Sequence, residues 1–233
     1  MNLTYKNTIL NITLYKDSAK IEGREIFREI FKIVVEERSK IEKEIAKNLL
    51  FKYSLEPVEI DSPEEIIKKM LYASNLANVG PMTSVAGAIA EILCNGYVDK
   101  FDSGIIENGG DIALFGNKDF KIKIYAGNSP FSNKFFISLN PAKLFPDKIL
   151  GICTSSASVG PSMSFGDSDA TTIIANSPAI ADAFATSLGN SVKNNENTIQ
   201  KVIEFGKKFN VIKGICIIVK DKIGMWNVNP EKI

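Results

Sequence analysis

Asn108-Gly109-Gly110-Asp111 joins two apolar runs, Ile105-Ile106 and Ile112-Ala113-Leu114-Phe115. An Asn-Gly pair between apolar runs is a strong signal for a hairpin turn. Glycine has no Cβ and reaches positive φ at little cost, so the same two residues also let a backbone pass close to a ligand. Taken alone, the motif favours the hairpin, and the ligand interpretation depends on the motifs that accompany it.

A second motif, Ala181-Asp182-Ala183-Phe184-Ala185-Thr186, predicts a helix that begins at Ser177-Pro178. Side chains four residues apart share a helix face, so Asp182 and Thr186 would point at one spot and could share a hard cation such as Mg²⁺. A carboxylate in the first turn is also favoured by the helix dipole without any ligand. Asp182 is therefore either a metal ligand or a structural residue.

Period-two patterns and short apolar runs predict the strands. They fall at 11–15, 103–107, 111–115, 120–126, 134–139, 149–154 and 169–175, with 214–220 and 222–228 as a closing hairpin. One or two long helices are predicted from 24 to about 51, and further helices from Pro63 to about 74 behind a Ser62 N-cap, from Pro81, from Pro178, and over about 198–209. Helices packed on a mostly antiparallel sheet make an α+β fold, without the βαβ alternation of a Rossmann chain.

The composition excludes several kinds of chemistry. Lys and Arg number 28 against 27 Asp and Glu, so no global charge supports binding to nucleic acid or an anionic membrane. There is no histidine, the commonest general base and transition-metal ligand. Cys94, Cys153 and Cys216 lie far apart in apolar stretches, which predicts buried thiols in a reducing compartment. Without a signal-like start or a run of about 18 apolar residues, we expect a soluble cytoplasmic protein.

Two further segments offer groups for an anion. The helix from Pro81 begins with small residues, and its N-terminal amides beside the hydroxyls of Thr83 and Ser84 would suit a phosphate. Tight helix packing explains the small residues equally well. Thr154 and Ser155, at the end of a predicted strand, offer hydroxyls to phosphate or ribose oxygens, although a plain serine-rich loop explains them when they are read in isolation.

The order of these motifs is more specific than any one of them. A small-residue helix, a Gly-Gly-Asp strand, a Thr-Ser strand end, the strand 169–175 and the helix 181–186 resemble the ApbE superfamily, the FAD:protein FMN transferases. The resemblance is closest to an uncharacterised cytoplasmic ApbE-like branch and covers about residues 75 to 190. It implies an ApbE-like, T-fold-like architecture.

The same resemblance implies roles for the motif residues. Asp182 and Thr186 would be Mg²⁺ ligands, and the helix with Thr83 and Ser84 would lie beside the phosphates of the ligand. The residues that would line FAD or FMN are Asn108, Gly109, Gly110, Asp111, Thr154 and Ser155. The expected partner is a nucleotide or another phosphorylated small molecule, with no nucleic acid and no membrane; a homo-oligomer is left open.

Two departures from the family pattern bear on activity. The transferases carry Ala-Lys-Gly where this chain has Val85-Ala86-Gly87, and a histidine where it has Pro-Ser-Met-Ser-Phe-Gly at 161–166. Losing a positive charge and a proton-handling group weakens a site that works by positioning and charge stabilisation. The fold is expected to be better preserved than the reaction.

The sequence thus predicts one ApbE-like domain over 1–233, with an N-terminal strand and helices in 1–74 and a sheet that carries the site in 75–233. The first functional hypothesis is binding of a flavin nucleotide, or another phosphorylated small molecule, with Mg²⁺. One alternative is an active Mg²⁺-dependent FAD:protein FMN transferase or FAD pyrophosphatase. The others are an accessory protein in sulfur metabolism acting through Cys153 and an assembly role without a ligand.

Overall fold

The computed structural model describes residues 1–17, 19–21, 23–145, 149–159 and 164–232. The strands are β1 (Asn2–Tyr5), β2 (Thr8–Lys16), β3 (Ala19–Ile21), β4 (Ser103–Asn108), β5 (Asp111–Gly116), β6 (Phe120–Lys123), β7 (Phe135–Leu139), β8 (Leu150–Ser155), β9 (Ala170–Ala175), β10 (Ile212–Val219), β11 (Lys222–Trp226) and β12 (Pro230–Lys232). The helices are α1 (Arg24–Lys47), α2 (Leu49–Tyr53), α3 (Glu65–Ala77), α4 (Val85–Asn95), α5 (Pro141–Leu144), α6 (Pro178–Ser191) and α7 (Glu196–Gly206). A 3₁₀ turn (Pro81–Ser84) directly precedes α4.

A nine-stranded sheet forms the centre of the described structure. Eight strands follow the order β1-β2-β4-β5-β8-β9-β10-β11, and β3 pairs with the end of β2. The Asn-Gly-Gly-Asp motif is the turn between β4 and β5, with Asn108 opposite Asp111. Gly109 and Gly110 have φ values of 64° and 109°, which favour glycine. The hairpin prediction is confirmed.

Helices cover one face of this sheet, and a three-stranded sheet ordered β12-β7-β6 covers the other. Successive side chains of a strand point to opposite faces, so a central strand serves both layers. Along β5, Ala113 and Phe115 belong to the helix-facing core, whereas Ile112 and Leu114 belong to the core shared with the small sheet. Every strand pair in the described residues is antiparallel, and the α+β prediction is confirmed.

Helix α6 lies in the middle of the helix layer. It packs on β8 and β9 and touches α3, α4 and α7, so each residue from Pro178 to Ala185 is buried. Its N-terminus is where the sequence predicts it: Ser177 is the N-cap, and its side chain accepts a hydrogen bond from the backbone N–H of Ile180 at 3.3 Å. The motif helix is therefore a core element.

One predicted helix start is wrong. The segment from 24 to about 51, predicted as one or two helices, forms two, which meet at Asn48; its backbone is extended and its side chain caps α2. The N-cap of α3 is Glu64, not Ser62. The buried Ser62 hydroxyl accepts from the backbone N–H of Glu64 at 3.4 Å, before the helix begins, and donates to Glu44 Oε2 of α1 at 3.3 Å, so it joins this segment to α1.

Among the described residues, no single helix is long and apolar enough to cross a membrane. Helix α3 and the segment Pro81–Asn95 meet such a criterion only as a pair, across a bend of 107°. The buried apolar side chains of both segments belong to the helix-facing core.

Candidate functional site

Four segments meet on the helix-facing side of the sheet, where the central strand β5 begins and its neighbour β8 ends. They are the start of β5 with Asp111, the end of β8 with Cys153, the N-terminal half of α6 with Asp182, and the first turn of α4. Because β5 and β8 are antiparallel and pair Ile112 with Ile152, the start of one strand lies beside the end of the other. Cys153, whose thiol donates to the Pro178 carbonyl at 3.3 Å, and the backbone N–H of Thr154 accordingly lie near the Asp111 carboxylate, and both lower the pKa of Asp111.

Asp182 caps the N-terminus of a neighbouring helix. Its Oδ2 accepts a hydrogen bond from the backbone N–H of Gly87, in the first turn of α4, at 2.9 Å. First-turn amides have no partner within their own helix, and the carboxylate supplies one. Gly87 permits this approach, because a Cβ there would lie 2.3 Å from the Pro178 carbonyl oxygen. The amides that were predicted to receive a phosphate thus already bind an anion.

The cluster concentrates negative charge without a compensating cation. Burial, and then the Asp111 carboxylate, raise the pKa of Asp182 well above its ordinary value, against the lowering effect of the Gly87 and Ala86 amides. Burial raises the pKa of Asp111 to about 7, and Oδ1 of Asp111 is buried without a hydrogen-bond partner among the described residues. No lysine or arginine lowers either pKa. Two carboxylates held in this way favour a bound proton or a cation.

The oxygen donors fit Mg²⁺ if a ligand completes the coordination. Thr186 is half-buried and lies one turn beyond Asp182 on the same face of α6. In the described part of the chain, no group of three or more His, Cys, Asp or Glu residues is arranged to hold a metal ion. Mg²⁺ in nucleotide sites commonly uses one or two carboxylates together with substrate phosphates. The fit is therefore to a metal bound with a phosphorylated ligand, not to a closed protein cage.

Asn108, predicted to line the ligand, connects three elements. It is buried; its Oδ1 accepts from the backbone N–H of Ile9 at 3.3 Å, and its Nδ2 donates to the Ala86 carbonyl at 3.1 Å. Both ends of the amide are thus used inside the protein. Asn108 anchors the hairpin turn to β2 and to the start of α4, beside the Asp182 cap.

Thr154 and Ser155 are adjacent in sequence but point to opposite faces of the sheet. Cys153 belongs to the helix-facing core and Ile152 to the other core, so by alternation Ser155 faces the helices and Thr154 faces away. The Thr154 hydroxyl bonds to that of Thr172 at 2.8 Å. Of the pair, the structure brings only the Ser155 side chain to the helix-facing side, while Thr154 contributes its backbone.

Thr83 and Ser84 lie in the 3₁₀ turn, not in α4 itself. The Thr83 hydroxyl donates to the Gly80 carbonyl at 2.8 Å. Ser84 is fully buried and donates to the carbonyls of Pro81 and Met70, at 3.0 and 3.4 Å. Both hydroxyls thus bond to backbone carbonyls of the protein, as the Gly87 amide bonds to Asp182.

Glu91 in α4 was not predicted from the sequence. It is buried; its Oε2 accepts from the Ser177 hydroxyl and from the backbone N–H of Ala179 at 3.1 Å, while Oε1 lies 2.8 Å from Lys69 Nζ. The one available signal was a single charge in the apolar run 85–95. Of the segment that replaces the family histidine, residues 161–163 lie outside the described residues.

A cavity of about 580 Å³ lies at the other end of the β4–β5 hairpin. Its lining includes Tyr15, Asp102, Ser103, Gly116 and Lys118. Since Ser103 pairs with Gly116 and Asn108 with Asp111, the whole length of the hairpin separates this cavity from the carboxylate cluster.

Comparisons with known proteins agree on both the family and the fold of this chain. A family model described as AbpE bacteria matches residues 1–224. A UPF0280 protein of Methanocaldococcus jannaschii is 42% identical over 217 residues, covering 92% of this chain and 87% of that protein. A UPF0280 protein of Methanothrix thermoacetophila is 38% identical over 200 residues, covering 84% and 81%.

Solved structures match over nearly the whole chain. The ApbE protein of Thermotoga maritima has a TM-score of 0.62 at 15% identity, covering 96% of this chain and 95% of that one. The flavin transferase ApbE of Vibrio cholerae has a TM-score of 0.57 at 15% identity, covering 97% and 95%. At these identities the likeness establishes a shared fold.

Proposed function

The chain belongs to the family described as AbpE bacteria, and we propose on this basis that it binds a flavin nucleotide, or another phosphorylated small molecule, together with Mg²⁺. The flavin transferase named among the similar structures supports a flavin as the first ligand to test. The proposed site is the carboxylate cluster between the Asn-Gly-Gly-Asp turn and the start of α6. We further propose that residues 1–233 form one domain around it.

The observation that carries this proposal is the pair Asp111 and Asp182. Each carboxylate has a raised pKa, and Asp111 keeps one buried oxygen without a partner. A divalent cation would neutralise this charge, with Asp182 and Thr186 as its protein ligands and phosphate oxygens as the others. When bound, Mg²⁺ would neutralise the phosphates and hold them in place.

The remaining predicted residues divide into three groups under this proposal. The backbone of Gly109 and Gly110, in the β4–β5 turn, and the side chain of Ser155 would contact the ligand. Asn108 and Thr154 would act through the backbone segments that they anchor. Thr83 and Ser84 would shape the turn that presents the first amides of α4.

An active FMN transferase or FAD pyrophosphatase at this site remains the alternative reaction-level hypothesis. The chain has no histidine, and it has Ala86 where the resemblance places a lysine. The structure offers no support for sulfur chemistry at Cys153, because burial and the two carboxylates raise its pKa well above the ordinary value. A thiol held in the neutral form is a poor nucleophile.

Native mass spectrometry with FAD or FMN, with and without Mg²⁺, tests the proposal and reads the oligomeric state in the same spectra. We expect a flavin adduct that needs Mg²⁺ and is lost with EDTA. Asp182→Ala should lose the adduct, and Asp102→Ala, at the exposed end of the same hairpin, should keep it. No Mg²⁺-dependent adduct with either flavin or with ADP would refute the proposed ligand class.

A further inference from the structure

We propose that Glu91 is the residue that positions Asp182 and Thr186, by holding the N-terminus of α6 against α4. This inference rests on the proposed function in one respect, the assignment of Asp182 and Thr186 to the ligand site. The contacts that support it are independent of that assignment.

Glu91 binds the start of α6 at two points. Its Oε2 accepts from the hydroxyl of the N-cap Ser177 and from the backbone N–H of Ala179 at 3.1 Å. These groups begin the helix, and Asp182 follows one turn later. A carboxylate from α4 therefore fixes where α6 starts, and so where its first functional side chain lies.

Asp182 makes the reciprocal contact. It extends from α6 to the Gly87 amide of α4 at 2.9 Å, and Gly87 lies one turn before Glu91 on the same face of α4. Each of the two helices thus has first-turn amides capped by a carboxylate of the other. Because these bonds run in opposite directions across one contact, a shift of α6 that breaks the Glu91 bonds also displaces Asp182 from Gly87.

The close packing of the two helices leaves little room for independent adjustment. A Cβ on Gly87 would lie 2.9 Å from Asp182 Cβ, and a Cβ on Gly151 of β8 would lie 2.5 Å from Pro178 Cα. Lys69 Nζ of α3 lies 2.8 Å from Glu91 Oε1, whereas both bonds to α6 use Oε2. One oxygen of Glu91 therefore pairs with Lys69 and the other holds α6, so different substitutions can remove the ion pair and the bonds to α6.

The test compares Glu91→Ala, Glu91→Gln and the control Lys69→Gln. The first removes both bonds to α6, the second keeps an acceptor for the Ala179 amide, and the third removes only the ion pair. The first measurement, without ligand, is hydrogen exchange at the Gly87 amide relative to Leu93 later in α4. We expect Glu91→Ala to lose protection at Gly87 while Leu93 keeps it, and Lys69→Gln to resemble the wild type at both.

The second measurement is Mg²⁺ affinity in the presence of FAD, followed by flavin fluorescence. Groups that orient metal ligands commonly change metal affinity by 10- to 100-fold. We expect a loss of about tenfold or more for Glu91→Ala, a smaller loss for Glu91→Gln, and no change for Lys69→Gln. Glu91→Ala that folds and matches the wild type in both measurements overturns the inference, as does an equal loss of protection at Gly87 and Leu93.

Failure of the proposed function can be distinguished from failure of the Glu91 proposal. If wild-type protein shows no Mg²⁺-dependent FAD binding, the proposed function fails, and exchange at Gly87 still decides whether Glu91 holds Asp182. If Glu91→Ala also unfolds the helix layer, Glu91→Gln provides the comparison, because it retains the size of the side chain. Unchanged Gly87 protection and Mg²⁺ affinity in both Glu91 variants would assign Glu91 to no positioning role.

Discussion

The two ends of the β4–β5 hairpin place carboxylates in opposite surroundings. At the turn, Asp111 has one buried oxygen without a partner and a pKa raised to about 7, with Asp182 close by. At the other end, Asp102 is exposed and accepts from the backbone N–H of Asp17 at 2.6 Å, beside a cavity of about 580 Å³. We call the turn with the buried carboxylate groups of Asp111 and Asp182 the closed end, and the end with the exposed Asp102 beside the cavity the open end.

The two ends differ in what they offer a ligand: one has a cavity, and the other has buried carboxylates. A cavity lined by exposed, solvated groups costs nothing to leave empty, whereas buried like charges lower the stability of the protein until a proton or cation joins them. The closed end therefore has the stronger physical reason to bind a ligand.

The largest expected effect is that of Asp182→Ala on Mg²⁺-dependent flavin binding, which we expect to be abolished. The variant removes a carboxylate that bonds to the Gly87 amide of α4 and lies one helical turn before Thr186. It should still fold, because the lost cap on Gly87 costs about 1 kcal/mol. Flavin fluorescence titrations and urea unfolding measure the two quantities. Binding as tight as that of Asp102→Ala would assign Asp182 to structure alone.

Catalysis at the closed end should be weak. We expect FMN transfer from FAD to a threonine-bearing acceptor at least about a hundredfold slower than in the ApbE transferases, since one lost electrostatic or proton-transfer group commonly has that effect. In-gel fluorescence of the acceptor, with a known transferase in parallel, measures the rate. Robust labelling that disappears in Asp182→Ala would establish the transferase hypothesis instead.

The pH dependence of stability should differ between the two ends. The carboxyl of Asp111 ionises near 3.8 in the unfolded chain and near 7 in the fold, so the folded state favours the protonated form. The protonated carboxyl makes its full contribution to the free energy of unfolding below about pH 4, and this contribution is lost as the pH rises through 7. Relative to the wild type, Asp111→Asn should therefore gain about 2 kcal/mol in free energy of unfolding between pH 5 and pH 8. Urea titrations without metal measure this gain, which Asp102→Asn should not show.

Because α4 and α6 pack tightly at the closed end, we expect Gly87→Ala to lower the stability of the protein, by less than the change expected for Asp111→Asn. The new Cβ would meet the Pro178 carbonyl oxygen at 2.3 Å, and we expect a loss of about 1–2 kcal/mol in free energy of unfolding. Gly96→Ala, at the other end of α4, is the control, because its Cβ would meet nothing nearer than 3.4 Å. Equal stabilities of the two variants would show that α4 and α6 can move apart at little cost.

The smallest effect is expected at the open end. Lys118 Nζ lies 4.4 Å from the centre of the Tyr15 ring on an exposed surface. Such contacts contribute about 0.5–1 kcal/mol, so Lys118→Ala should reduce the free energy of unfolding by no more than that. Flavin binding should be unchanged. A loss of binding in this variant would move the ligand site to the cavity and reverse the contrast.

The sequence alone determined the features that depend on nearby residues. The β4–β5 turn needs two glycines at positive φ, and α6 needs a capping hydroxyl followed by proline, so both are encoded within about four residues. The order of the motifs also identified the family. These predictions are confirmed by the structure and by the match to the family model.

Tertiary structure decided which groups meet and what their surroundings do to them. Asp182 bonds to Gly87, 95 positions earlier, and Glu91 bonds to Ala179, 88 positions later. No local pattern encodes such pairs, which is why Ser62 was mistaken for a helix cap and Glu91 was missed. Burial is the first cause of the raised pKa of Asp111, with the Glu107 carboxylate adding to it, and a sequence read one segment at a time contains no measure of that burial.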